Sequence, residues 1–384
     1  MKYSLFITIL LLAFLISCDT EEKKNGTREH NHLISITDTV NFKIPFSSSN
    51  QPQYMQYKIL EGKEFLAIGN KNNYTIEVFD FFDFEIIHKY NLPTSGPYDI
   101  KFPQMFGFFI KNWDSVYVGL YNRPNFLMID KNSQVKDFTI IKKKISNPIF
   151  LSRAPMTEFE GNFITASSPI HPFDRDYWKN PLFTSISFKN KDYHQFFEPP
   201  LVDGYEIYGG FHNNHSYALN SEKGLVLSNL TFDPNLYIYN VRREEFVKSI
   251  HLPSKYFDKV PPFQKTYNEL SKGSQEHYIQ NPSYKSILYD KWRDVYYRFA
   301  EQGVELKDIE GNFNTWYDKK PSVLILNNEF EIIGETDLPQ SIYRISDAFV
   351  GKDGLYIAAN NDKNPNYNEN ELTFHVYELS TKAQ

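Results

Sequence analysis

The sequence predicts an all-β fold, a six-bladed β-propeller closed by an N-terminal strand. Three observations predict it. Runs rich in Val, Ile, Phe and Tyr recur along the chain between Asn, Asp, Gly and Lys turns, the pattern of many short strands. One strand signature occurs six times in order at intervals near 50 residues, the length of four strands and their turns. Finally, Val40-Asn41-Phe42-Lys43-Ile44-Pro45 carries, at the far end of the chain, the apolar-proline ending that the last copy lacks.

The elements follow in chain order. Lys2 supplies a small positive region, Leu5 to Leu15 an apolar segment too short to span a bilayer, and Ser17 a small residue before the only cysteine, Cys18. The run Leu15-Ile16-Ser17-Cys18 resembles the lipobox of bacterial lipoproteins. That resemblance implies a signal peptide over 1–17, cleavage before Cys18 and acylation of its thiol and new amine, a membrane anchor of two or three chains. Residues 18–34 form a tether, since Asp19 to Asn31 contain no apolar side chain. Acidic residues directly after Cys18 resemble the export signal that takes lipoproteins of the Bacteroidetes to the outer face of the outer membrane. In enterobacterial sorting, Asp19 would instead imply inner-membrane retention, so the leaflet stays open. His30 and His32 read as solvated residues of this tail rather than metal ligands.

Residues 35–384 are expected to form the propeller. The signature, alternating apolar residues closed by a polar turn residue, appears as Ile76–Asp80, Phe126–Asp130, Ile186–Asn190, Leu236–Asn240, Val323–Asn327 and Phe374–Glu378, spaced 50, 60, 50, 87 and 51 residues apart. Three copies are followed 11 or 12 residues on by Leu92-Pro93, Leu252-Pro253 and Leu338-Pro339. Proline lacks the donor a sheet interior needs, so it suits the end of an outermost strand. The last copy has no such continuation, and the Val40–Pro45 segment is expected to pair with it and close the ring. A seven-bladed ring or a pair of β-sandwiches are the competing arrangements. A partly helical insertion is expected near 256–285, with a short helix over Gln264 to Lys272 ending before Gly273.

Composition narrows the function classes. Hydrophobic residues make up 41% and charged residues 23%, as in a folded globular body. The formal net charge of −6 gives no electrostatic reason to seek nucleic acid. With one cysteine, no intrachain disulfide forms, so stability comes from packing. Glycine numbers only 17, and no phosphate-cradling loop, nucleophile elbow or zinc-protease helix is present, so no cofactor is implied.

The Tyr289-Asp290…Val295-Tyr296-Tyr297-Arg298 run, the Gly96-Pro97-Tyr98-Asp99-Ile100 turn and the Asn112-Trp113-Asp114-Ser115-Val116-Tyr117 turn-strand resemble an uncharacterised family of propeller-type lipoproteins of Bacteroidetes. The resemblance covers most of residues 35–384. It implies fold and envelope location and assigns no activity.

Site residues are therefore sought in loops and at the channel. His171-Pro172-Phe173-Asp174-Arg175-Asp176-Tyr177-Trp178-Lys179 is the leading candidate: Tyr177 and Trp178 would stack on a sugar face while Asp174, Arg175 and Asp176 bond its hydroxyls. The alternative is a solvated loop whose aromatics pack on a neighbouring blade. Arg293 and Arg298, with Asp290 and Asp294, are candidates to line the channel, or else ion pairs that buttress a blade. His212 and His215 have chelating spacing but no third ligand, and the Asn360–Glu371 loop lacks the mid-loop glycine of a calcium site, so no metal is expected. Two functional readings remain. One is a non-enzymatic envelope lipoprotein that binds or scaffolds a protein, peptide or glycan. The other is an envelope hydrolase or lyase that draws on Asp174, Asp176, His171, His212 and Asp290.

Overall fold

The computed structural model describes residues 32–52, 54–100, 106–120, 125–140, 146–169, 177–200, 208, 210–263 and 273–381. They form six antiparallel sheets arranged as the blades of a propeller. Blade 1 is β2 (Met55–Leu60), β3 (Lys63–Asn70), β4 (Thr75–Asp80) and β5 (Ile86–Asn91). Blade 2 is β6 (Phe106–Asn112), β7 (Ser115–Leu120), β8 (Asn125–Ile129) and β9 (Val135–Ile140). Blade 3 has five strands, β10 (Ser146–Pro148), β11 (Thr157–Phe159), β12 (Asn162–Pro169), β13 (Phe183–Ser187) and β14 (Asp192–Phe196), with both β10 and β11 paired to β12. Blade 4 is β15 (His215–Asn220), β16 (Leu225–Leu230), β17 (Asn235–Asn240) and β18 (Glu245–His251). Blade 5 is β19 (Ser283–Asp290), β20 (Val295–Gln302), β21 (Lys320–Leu326) and β22 (Ile332–Asp337). Blade 6 comprises β23 (Arg344–Val350), β24 (Leu355–Ala358) and β25 (Glu371–Thr381), and its fourth strand is β1 (His32–Lys43), paired antiparallel to β25 with Val40 opposite Phe374. Among the described residues no helix is long and apolar enough to cross a membrane.

The repeated signature marks the third strand of each blade. Five copies lie on β4, β8, β17, β21 and β25 or their closing turns. The copy at Ile186–Asn190 straddles the end of β13, because Phe188 continues past the strand to reach the core of blades 2 and 3. The polar residue that ends the signature has a physical task. Asp80, Asp130, Asn240 and Asn327 each accept, through Oδ1, backbone N–H groups of the following turn, from Phe82, Asn132, Arg243 and Glu329 at 2.8–3.0 Å. In the same four hairpins the next strand begins after a residue of positive φ, Phe84, Ser133, Glu244 or Phe330, and a bulge. That combination tightens the hairpin and adds the twist a blade needs.

The Leu-Pro pairs close the outer strands. Leu92, Leu252 and Leu338 donate their backbone N–H groups to the carbonyls of Tyr74, Pro234 and Pro321 at 2.8, 3.2 and 3.0 Å, and their side chains are buried between blades. The proline that follows ends the ladder. Apolar cores fill the blade junctions. One spans blades 1 to 3, and others join blades 3 and 4, 4 and 5, 5 and 6, and 6 and 1. The aromatic abundance is largely consumed there, at about 0.5–1.5 kcal/mol per ring pair beyond area burial.

Glycine matters most at Gly107 and Gly119, directly opposite each other on β6 and β7. A Cβ on either would lie inside the van der Waals surface of the Phe150 side chain, which is fully buried. The expected helix over Gln264 to Lys272 lies outside the described residues. The described helix, α1 (Ser274–Gln280), starts instead after Gly273, whose φ of 85° suits glycine.

Candidate functional site at the channel mouth

The innermost strands β15, β19, β23, β2 and β6 neighbour one another around the channel. Two of them are irregular where they would carry site residues. The β19–β20 register slips between Tyr284 and Ile287, and the β23–β24 register between Arg344 and Ala348. Such bulges free a side chain from strict in-out alternation. Lys285 and Asp347 stand within these slips.

Glu301, near the end of β20, organises the first half of the site. Its Oε2 accepts hydrogen bonds from Ser283 Oγ at 3.0 Å and Tyr278 Oη at 3.3 Å, and faces Lys285 Nζ at 3.9 Å and Lys319 Nζ at 4.0 Å. Lys285 donates to Tyr278 Oη at 2.9 Å, while Lys319 donates to Ser283 Oγ at 2.6 Å and the Tyr278 carbonyl at 3.1 Å. Both ammonium groups sit over the Tyr278 ring, 5.1 and 4.2 Å from its centre. One carboxylate thus serves two lysines. Burial drops the Lys319 amine to about 7 despite Glu301, and the Lys285 charge adds to the fall. For Lys285, burial opposes the charge, yet Glu301 and Tyr278 hold its pKa above the ordinary value.

Arg344 organises the second half. Its Nε donates to Asp347 Oδ2 at 3.1 Å, its Nη2 to Tyr317 Oη at 3.0 Å, and its guanidinium lies 3.9 Å from the Tyr317 ring centre. Burial raises the Asp347 carboxyl even though Arg344, Lys285 and Arg153 all favour its charged form. That influence places Arg153 in the same electrostatic neighbourhood. Arg153 rides the tight turn Leu151–Ala154 between β10 and β11. Its Nη2 donates to Asn214 Oδ1 at 2.9 Å, and among the described residues it has no carboxylate partner.

An aromatic wall completes the arrangement. Phe211 meets Trp316 at 5.0 Å and Tyr278 at 5.6 Å, and Trp316 meets Tyr317 at 5.5 Å. Phe211 and Trp316 are half-buried. Asn214 joins wall to cation, since its Nδ2 donates to the Phe211 carbonyl at 2.7 Å while its Oδ1 holds Arg153. Gly210, at φ 55°, lets the short 3₁₀ turn Gly210–Asn213 lie against Ser274 of α1, where a Cβ would collide. Asp318 pins the Thr315–Lys319 loop, accepting from the Thr315 N–H at 2.7 Å and from Lys363 Nζ at 3.1 Å.

Of the residues singled out from sequence, Trp178, Arg293 and Arg298 fall elsewhere, while His212 lies against Tyr278. His171, Asp174, Arg175 and Asp176 lie outside the described residues. Tyr177 opens the 3₁₀ turn Tyr177–Lys179, and its side chain also lies outside the described set. Trp178, read either as stacking on a ligand or as packing on a neighbouring blade, does the second: it is 8% exposed and packs on Phe232 of the next blade at 5.1 Å, where the turn tucks it into the junction of blades 3 and 4. Arg293 pairs with Asp290 at 3.0 Å and donates to the Lys352 carbonyl at 2.9 Å, tying the β19–β20 turn to blade 6. Arg298 is fully buried. Its guanidinium donates to Asn229 Oδ1 and to the carbonyls of Asp233, Pro234 and Leu252, at 2.7–2.8 Å, and stacks 3.9 Å from the Tyr284 ring centre. Both arginines therefore buttress blades.

His212 and His215 contact different carbonyls, of Pro282 and Leu182, and do not share a ligand position. Burial keeps both neutral, His212 well below its ordinary range and His215 at about 4. Among the described residues no three metal-ligating side chains converge. The Asn360–Glu371 loop spends its asparagines on backbone, with Asn360, Asn361 and Asn364 donating to the carbonyls of Glu371, Tyr317 and Ala359.

Sequence reasoning missed Arg153, Lys285, Glu301, Lys319, Arg344 and the Phe211–Trp316 wall. The one available signal was Lys285, the sole basic residue of the inner strand Ser283–Asp290.

Comparison with known proteins gives the following. Residues 31–337 match the model of a domain of unknown function, DUF4221. A member of that family from Bacteroides vulgatus has a solved structure similar to this one, with a TM-score of 0.79 and 24% identity over 92% of this chain and 99% of that one. A Bacteroides fragilis protein named as a candidate exported protein aligns with a TM-score of 0.53 and 12% identity over 91% of this chain and 96% of that one. Among curated proteins none matches the sequence significantly.

Proposed function

This chain belongs to the DUF4221 family, and from that premise we propose that it is a lipid-anchored binding protein of the cell envelope that holds its partner at the channel mouth. One juxtaposition carries the reading. Arg153, whose described partner is a neutral amide, shares Asn214 with Phe211, whose ring leans on half-buried Trp316. A charged fork beside an aromatic face is recognition chemistry.

The acids and bases nearby are engaged internally: Glu301 with two lysines, Asp347 with Arg344, His212 with a carbonyl. The pair nearest to a nucleophile and base, Ser283 Oγ and Lys319 Nζ at 2.6 Å, is sealed, at 0% and 1% exposed. That leaves the hydrolase or lyase reading without an accessible nucleophile in this cluster.

In this account Cys18 carries the acyl chains, and each buried methylene contributes about 0.8 kcal/mol to membrane retention. The body is displayed on the outer membrane, where a protein, peptide or glycan partner reaches the ring. A thermal-shift panel of envelope glycans and peptides against the full chain in detergent, with product analysis of each hit, tests the reading. A stabilising ligand recovered intact supports it. A ligand recovered cleaved overturns it.

A further inference from the structure

Resting on the binding role proposed above, we infer that the channel mouth selects a ligand carrying a carboxylate beside one flat, apolar ring face. The charge balance argues for the anion. Glu301 and Asp347 face four cations, Arg153, Lys285, Lys319 and Arg344. Asp318, in the neighbouring Thr315–Lys319 loop, is taken by Lys363. Lys319 is buried and near neutrality, Lys285 is paired with Glu301 and Arg344 with Asp347, so the excess falls on Arg153, which is only partly buried. The Arg153 charge is felt by Lys285, where Glu301 and Tyr278 outweigh it. An incoming carboxylate would supply Arg153 with the partner it lacks among the described residues.

Geometry argues for the ring. Asn214 ties the Arg153 guanidinium to the main-chain carbonyl of Phe211, whose ring meets Trp316 with planes at 36° in a slanted apolar wall. A planar guanidinium reads a carboxylate in a two-pronged way that an ammonium does not. A wall of this kind suits the C–H face of a sugar or an aromatic ring. The same chemistry is met in two sources, a uronic-acid sugar and an aromatic carboxylic acid. The neutral sugar and the neutral aromatic alcohol lack the group that Arg153 would hold.

Calorimetric titration of the full chain in detergent, with galacturonate oligomers and with phenylpropionate, separates the sources. Neutral galactose oligomers and phenylpropanol serve as isosteres. The expected result is that one acid binds and its neutral counterpart binds at least tenfold more weakly, with affinity falling as salt rises. In Arg153→Gln the acid weakens about 10- to 100-fold, the range for losing a hydrogen bond to a charged group. Trp316→Ala weakens it several-fold, and Arg153→Lys restores part of the loss, which a misfolded variant would not allow. Equal binding of acid and neutral isostere overturns the inference, as does unchanged affinity in Arg153→Gln. If neither acid binds while a neutral glycan or peptide does, the inference fails and the binding role stands. If the acid is recovered cleaved, the binding role itself fails.

Discussion

Replacing Lys319 with methionine removes a proton site that the folded chain holds near pH 7 and the unfolded chain at its ordinary 10.5. Between those values the unfolded chain carries a proton that the folded chain does not, so stability rises with pH across the window, by at most about 1.4 kcal/mol per pH unit. Below pH 7 the folded chain bears the full cost of burying the charge. Working the two binding curves from pH 7 to 9 gives wild type a gain of about 2 kcal/mol from Lys319 alone. Lys319→Met lacks that gain. Its other effects, the lost bonds to Ser283 Oγ and the Tyr278 carbonyl, shift the variant by an amount that changes little with pH. Stopping at pH 9 keeps the buried tyrosines out of the comparison, since burial pushes their hydroxyls above 10. The assay is denaturant unfolding of both proteins at pH 7, 8 and 9. The stability difference between them should move by about 2 kcal/mol in favour of wild type. Parallel pH profiles would refute the reasoning, for they would mean that Glu301 keeps Lys319 charged at neutral pH.

Arg298→Met leaves the carbonyls of Asp233 and Leu252 without this donor, while Pro234 keeps the Leu252 N–H, and should cost about 1–3 kcal/mol for each carbonyl left unsatisfied, read as a lowered denaturant midpoint. Gly119→Ala forces a methyl against Phe150 and should cost about 1–3 kcal/mol; adding Phe150→Leu should recover part of it, and a still less stable double variant would show that the clash lies elsewhere. Cys18→Ser should move the protein from the membrane to the soluble envelope fraction and abolish incorporation of labelled palmitate, whereas retention at the membrane would contradict anchoring through this thiol.

The fold was legible because its periodic features are local. A polar residue that ends a third strand is read directly from sequence, and it recurs because Asp80, Asp130, Asn240 and Asn327 do the same job of holding a tight turn. The two long intervals have separate causes, an added strand β11 in blade 3 and α1 with its flanks between blades 4 and 5. Arg298 shows where the reading stopped. Along β20 the residues alternate, with Tyr296 and Ala300 turned to two neighbouring cores and Val295, Tyr297 and Phe299 to the core shared with blade 6. Arg298 shares the parity of Tyr296, and so meets the carbonyls of blade 4 rather than the channel. Trp178 takes the alternative named for it, packing on the neighbouring blade, and a polar loop in sequence does not reveal which of its side chains fills a blade junction. The channel mouth could not be read at all, because Arg153, Phe211, Lys285, Trp316 and Arg344 lie on separate segments. The two bulges that present Lys285 and Asp347 leave no mark in the strand pattern.

The central claim, that the channel mouth is where a ligand is held, is tested most directly at Trp316. The chain has four tryptophans, and the other three, Trp113, Trp178 and Trp292, pack elsewhere on the ring, so fluorine NMR of 5-fluorotryptophan-labelled full chain reports each position separately. Titration with galacturonate oligomers or phenylpropionate should shift the Trp316 resonance, assigned by Trp316→Phe, leave the other three in place and return the ligand intact. A Trp316 signal that stays fixed under every ligand that stabilises the protein would contradict the account.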